Sequence, residues 1–336
     1  MRSLSNLIII LLCSSFTVAK IWTVDNKHPY VADYTTLTEA HNAASAGDTI
    51  YVYPSLQPYS FQTVTKQLTL IGVGFEITEN FGEPVTPTTI IGSNYISFNA
   101  GSEGSQLIGF DGNFNVYINT SNILIKKNNL NAVIIALEGS GSVITQNKII
   151  GNINTGSSQN YTVKNSAPNI LVSNNIIVNT IGSSGFPRAI GDNANNSTII
   201  NNVLKSNYYP LTVSNCDVVN NILVSGPVVQ IPNCSARYNM YYATDQELTD
   251  GIGNLQNIDM STVFVDHGNN DFHLKAGSPA YGNGENGADM GNYGGQTPYV
   301  DSGFPGLPSI LQINAPTVGS QAGGLNIIFD AKSNSE

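Results

Sequence analysis

The sequence predicts an all-β fold in which the chain winds as a single parallel solenoid. Three observations lead there: a recurring Asn-x-apolar string, a spacing of 18 to 27 residues between copies, and a composition that replaces charge with Asn and Gly. Of 336 residues only 11% are charged, against about 25% in an ordinary soluble domain. Asn accounts for 43 residues and Gly for 32, both suited to tight turns. The 41% hydrophobic content is enough for a real core and argues against a disordered acidic chain.

The elements follow in chain order. Residues 1–19 read as an export leader, with Arg2, the apolar run Leu7 to Leu12, and small residues at Thr17-Val18-Ala19. The run is too short to span a bilayer, which needs about 20 residues. A mature chain starting near Lys20 is therefore expected to be secreted, with no membrane insertion. Next, Leu37, Ala40, Ala43 and Ala44 fall on one helical face, Gly47 is placed to stop the helix, and Ile50 to Val52 begins a strand.

The repeat occupies the middle of the chain. It reads Asn128-Asn129-Leu130, Asn147-Lys148-Ile149, Asn174-Asn175-Ile176, Asn201-Asn202-Val203 and Asn220-Asn221-Ile222, with Tyr238-Asn239-Met240 as a degenerate copy. The spacings in that register are 19, 27, 27, 19 and 18. A β-rich run precedes each full copy: Ile123 to Ile125, Ser142 to Ile144, Ile170 to Val172, Thr198 to Ile200, and Val218-Val219. No unit is long enough to bury an apolar face alone, so neighbours must stack, about 4.8 Å apart. Stacked Asn side chains can then hydrogen-bond as a ladder. A leucine-rich repeat has a comparable period, but its framework and helical segments are missing.

The longer coils carry extra residues at 151–159 and 179–185, expected to protrude side by side from one edge. Cys216 and Cys234 are 18 residues apart, one coil, so they should stack. Stacking is compatible with a disulfide and equally with two buried thiols.

Two segments carry a family resemblance. Tyr34 to Val52, followed by Gln67-Leu68-Thr69-Leu70-Ile71-Gly72-Val73-Gly74, resembles the N-terminal cap and first coil of right-handed parallel β-helix proteins of the pectate-lyase-like superfamily. Asp271 to Ala280, followed by Ala288-Asp289-Met290-Gly291, resembles the closing segment of secreted bacterial β-helix repeat proteins. The resemblance implies a right-handed parallel β-helix over residues 20–300 with a short N-terminal capping helix. Residues 301–336 remain as a tail, either a last strand or an unstructured end. It leaves activity open, because the superfamily holds lyases, hydrolases, epimerases and non-catalytic binders.

Members that hydrolyse pectin rely on clustered Asp, and the coils contain no Asp-Asp pair and few acidic residues of any kind. A lyase needs less: in this superfamily usually an Arg or Lys base, with Ca2+ held by carboxylate and amide oxygens. The position nine residues before each repeat Asn is polar in four coils, at Asn119, Glu138, Asn165 and Asp192. If those positions stack, they form a column of oxygen donors. On this reading Lys164 and Arg188 are the candidate catalytic bases. Glu138 and Asp192 are the candidate Ca2+ ligands, and Lys126, Lys148 and Asn165 contact substrate. Lys126, Lys127 and Lys148 would form one cationic group. The plainer reading has turn asparagines, solvated acids and a solvated lysine face. The four His residues show no metal-ligand spacing.

The net charge of -10 is uneven: -4 over residues 1–110, +3 over 111–240 and -9 over 241–336. The coils are mildly basic and hold 27 of the 43 Asn. An acidic polysaccharide therefore suits the coils, and nucleic acid does not suit an acidic chain. The expected protein is a secreted, monomeric, carbohydrate-interacting β-helix, either a polysaccharide lyase on an acidic glycan or a non-catalytic glycan-binding, adhesin or structural envelope protein.

Overall fold

A computed structural model describes residues 19–28, 31–55, 57–75, 95–151, 153–154, 159–180, 186–192, 195–242, 248, 251–306, 309–314 and 327–332. Nearly all of the leader and parts of both insertions lie outside the described residues.

Among the described residues, the coils build three long parallel sheets. Sheet 1 has ten strands, from Ile21–Val24 and Thr49–Val52 through Leu124–Lys126 and Val143–Thr145 to Ser235–Arg237. Sheet 2 has six, from Asn129–Leu130 through Lys148–Ile150 and Val203–Ser206 to Met240–Tyr241. Sheet 3 runs from Thr63–Val64 through Ala132–Ile135, Gln159–Asn165 and Phe186–Gly191 to Tyr209–Thr212, with Ile153–Asn154 added antiparallel to Gln159–Asn165. Neighbouring strands come from successive coils, so the molecule is an all-β parallel β-helix.

Alternation sends one side chain of each sheet 1 strand inward, and ladder register stacks them. Ile50, Leu70, Leu107, Ile125, Ile144, Val172, Ile199 and Val218 form such a column, all at or below 1% exposure. Burying a side chain of this size contributes about 1.5–3 kcal/mol. Helix α1, Leu37–Ala43, closes the N-terminal end with Leu37, Ala40 and Ala44 buried. Thr36 accepts a hydrogen bond from the Glu39 backbone N–H at 3.2 Å and caps the helix. Two expectations need correction here. Ala43 is exposed, its place on the buried face taken by His41. The helix ends at Ala43, before Gly47, which instead makes the turn into Thr49–Val52 with φ 93°.

The asparagine repeat is a ladder, one residue out of the expected register in most coils. Asn128, Asn147, Asn175, Asn202, Asn221, Asn239 and Asn254 stack between sheets 1 and 2, each Nδ2 donating to the next Oδ1 at 3.0–3.2 Å. The spacings are 19, 28, 27, 19, 18 and 15. Asn174, Asn201 and Asn220 occupy the preceding position, as do Lys127, Gln146 and Tyr238, all with φ between 53° and 57°. That position must be left-handed, which Asn tolerates best. Asn-Asn therefore serves two purposes in succession, a turn and then a ladder rung. The sequence string could not say which Asn was which.

The residues after the last coil run back along the solenoid as a strap. They include Phe264–Asp266 paired antiparallel with Asp271–Leu274. Ile176, Val178, Val203, Ile222 and Val224 pack against Met260, Phe264, Phe272, Met290 and Tyr299 in a second apolar core. The left-handed turn residues dock the strap. Asn220 Oδ1 accepts from the Glu285 backbone at 2.7 Å, and Asn174 Nδ2 donates to the Asn292 and Gly294 carbonyls at 3.1 and 2.7 Å. Phe75 N donates to the Ser302 carbonyl at 2.8 Å. Arg237 binds Asp217 on the coils and Glu285 of the strap. Beyond it, Ser309–Asn314 and Ile328–Lys332 form an antiparallel pair, so the tail contains two strands.

Cys216 and Cys234 stack on adjacent coils as thiols, not as a disulfide. The Cys216 backbone N–H donates to Cys234 Sγ at 3.3 Å.

Candidate functional site

Outward side chains of sheet 3 meet where the two insertions enter the helix. Tyr161, Arg188 and Tyr209 face one another on successive strands. The Arg188 guanidinium lies 5.5 Å from the Tyr161 ring and 4.7 Å from the Tyr209 ring. Its Nη1 donates to the Phe186 carbonyl at 3.1 Å, and the residue is 7% exposed. Phe186, Tyr208 and Tyr209 cluster with ring centroids 4.5–6.0 Å apart, and Phe186 is 44% exposed.

Lys164 and Asp192 adjoin this cluster. Lys164 Nζ is 3.5 Å from Asp192 Oδ2, which also accepts from Ser166 Oγ at 3.0 Å. Asp192 has φ 90°, an uncommon conformation outside Gly; Lys164 and Ser166 hold the carboxylate from the neighbouring coil. Burial raises the Tyr161 phenol pKa; the Asp192 charge adds to that and the Arg188 charge opposes it.

Three of the residues singled out by sequence therefore converge: Lys164, Arg188 and Asp192. Asn165 lies within the same strand, but it is buried and its Oδ1 accepts from the Ala167 backbone at 3.0 Å. Glu138 does not join them. It sits on the short turn Leu137–Gly139, three residues past Ile135, which faces Asn165. It is also two strand spacings, about 9.6 Å, from the Asp192 coil. The four-residue oxygen column is therefore not formed: Asn119 is aligned with Ala136, one position away from the Ile135–Asn165 level. Glu138 and Asp192 therefore stand on different coils and at different levels of the sheet edge. Among the described residues no group of three His, Cys, Asp or Glu side chains is arranged to hold a metal. The lysine group also separates. Lys126 projects from sheet 1, Lys148 from sheet 2, and Lys127 is buried at a left-handed turn.

A second cluster lies between sheet 2 and the strap, and sequence reasoning missed it. His273 Nδ1 is 2.6 Å from Asp271 Oδ1 and its Nε2 is 3.4 Å from Asp301 Oδ2. Tyr293 donates to Asp301 Oδ1 at 2.7 Å and stacks on His273 with centroids 5.5 Å apart. Burial lowers the His273 pKa, but the Asp271 hydrogen bond and the charges of Asp301 and Asp271 outweigh it, leaving a net rise. Burial and then Asp301 push the Tyr293 phenol far up. The one signal in the sequence is Asp271-Phe272-His273, which alternation splits into a buried ring and two outward polar groups. Asp301 and Tyr293 are brought in by the strap, which no local pattern announces.

No family model matches this chain, and no curated protein matches it. Among solved structures, a chain titled "The complex structure of XylC with xylose" is similar at a TM-score of 0.33 and 11% identity. The match covers 66% of this chain and 40% of that one, so this chain spans less than half the length of the structure it resembles. Among the described residues no helix is long and apolar enough to cross a membrane.

Proposed function

We propose that this is a secreted, monomeric, carbohydrate-interacting β-helix protein that holds an acidic glycan on the outer face of sheet 3. The observation that carries the reading is the partly exposed aromatic group Phe186, Tyr208 and Tyr209 beside the half-buried Lys164–Asp192 pair. Aromatic faces pack against the C–H faces of sugar rings. Lys164 supplies a cation for a uronate carboxylate, and Asp192 an acceptor for hydroxyls. The surrounding coils carry a net +3, which favours an anionic polymer by long-range attraction.

The same geometry favours binding over elimination. Arg188 is enclosed between two tyrosine rings, which makes it a clamp for the aromatic face and leaves little room for it to abstract a proton. Lys164 remains the accessible cation. Membership of the pectate-lyase-like superfamily stays part of the proposal, resting on the cap and closing segments. Export rests on Arg2, the Leu7 to Leu12 run and Thr17-Val18-Ala19.

The test is a panel of uronate polymers, with and without Ca2+, scored for retention of the protein and for the ultraviolet absorbance of unsaturated products. Retention without rising absorbance is the expected result. Rising absorbance abolished by Lys164→Ala would establish a lyase instead. Retention of neither acidic nor neutral polymers would overturn the carbohydrate reading.

A further inference from the structure

The cluster at the strap lines a cleft of about 240 Å3. Its floor is apolar: Ile176, Phe272 and Tyr299, all at or below 5% exposure. Its walls are polar: Lys148, Asp271, His273 and Asp301. Lys148 is shared with an adjoining recess of about 530 Å3, which Asp111, Asn129 and Asn131 line. Together these reach the size of small-ligand sites, ~300–1,000 Å3.

We infer that this cleft is a second binding site, separate from sheet 3, for a short neutral saccharide. Donors (Lys148, Asn129) and acceptors (Asp271, Asp301, Asp111) both line the walls above an apolar floor. That pattern matches a ring with hydrophobic faces and a hydroxyl edge, and suits neither a purely apolar ligand nor an ion. Charge narrows the class further. Asp271 and Asp301 line the cleft with Lys148 and His273, and Asp111 lines the adjoining recess, a balance with no surplus of cations to select an anionic sugar. The acidic groups are also fixed in advance. Asp271 is held by His273, Asp301 by Tyr293 and His273, and Asp111 accepts from Asn129 Nδ2 at 2.7 Å. Groups already ordered lose little freedom on binding. The strap closes the cleft, so this site exists only once the C-terminal segment has docked on sheet 2.

The test uses the full chain and saturation-transfer NMR with methyl glycosides of neutral hexoses and pentoses and their oligomers up to four units. Saturation transfer to a neutral oligomer is expected, with affinity reduced at least tenfold by Asp301→Asn and by His273→Gln. Thermal melts of the variants exclude unfolding, and loss of the melt in one variant leaves the other, with the wild-type spectra, to decide. Lys164→Ala should leave this binding unchanged while weakening uronate binding, which keeps failure here distinct from failure of the sheet 3 reading. Transfer to no neutral sugar, or transfer unaffected by both cleft substitutions, overturns the inference.

Discussion

Each rung of the asparagine ladder carries several buried hydrogen bonds, and neighbouring Asn residues have separable duties. Asn175 donates to the Ile144 carbonyl and to Asn202, and accepts from the backbone and side chain of Asn147. Asn175→Ala strands those buried donors. The expected cost is about 2–4 kcal/mol of global stability, read by denaturant unfolding; a loss under 0.5 kcal/mol would contradict the ladder's role. Asn174→Ala spares the rungs but strains a φ of 53° and removes both strap bonds. It should raise hydrogen exchange in residues 285–302 more than in sheet 1. His273 gives a pH dependence. Its folded pKa lies above the ordinary 6.5, so its contribution is complete below about pH 6.5. That contribution declines as pH rises through the folded value. The melting temperature of the wild type should fall relative to His273→Gln over that rise, and parallel curves would contradict the Asp271 and Asp301 pairing.

The elements differ in how much of them the sequence discloses. Sheet 1 was legible because its strands are β-branched runs placed one coil apart, and period plus composition suffices for that. Sheet 3 was less so. Its strands follow turns and insertions of unequal length, which is why Glu138 fell outside the expected column while Lys164, Arg188 and Asp192 came together. The strap was legible only as a closing segment. Its course along sheet 2 depends on apolar side chains of Ile176, Val203 and Ile222 facing outward, and an all-apolar strand does not reveal which of its faces is covered. Arg237 fastens strap to coils through Asp217 and Glu285, and those bonds hold its charge firmly, raising its pKa further above an already high value. Because all three side chains are about a third exposed, Arg237→Ala should cost only about 1 kcal/mol. Greater proteolysis of the strap is the expected sign, and an unchanged digestion pattern would contradict the fastening.

At the scale of the whole molecule, charge is divided along the chain, and the two proposed sites fall on different parts of that division. The basic, Asn-rich coils carry the aromatic face of sheet 3, and the acidic C-terminal region supplies Asp271 and Asp301 to the cleft. On the proposed reading, one solenoid presents two surfaces of different electrostatic character, one for uronates and the other for neutral sugars. Net charge alone concealed this, since -10 for the chain describes neither surface. The reading also gives a salt dependence: uronate binding should weaken as ionic strength rises from low to physiological, while neutral binding in the cleft should not. The most direct measurement is calorimetric titration of a short oligouronate into the wild type, Lys164→Ala and Phe186→Ala. The account predicts saturable binding by the wild type and about tenfold weaker binding, about 1.4 kcal/mol, for each variant. Wild-type affinity retained by both variants, or no binding of any uronate by the wild type, would contradict it.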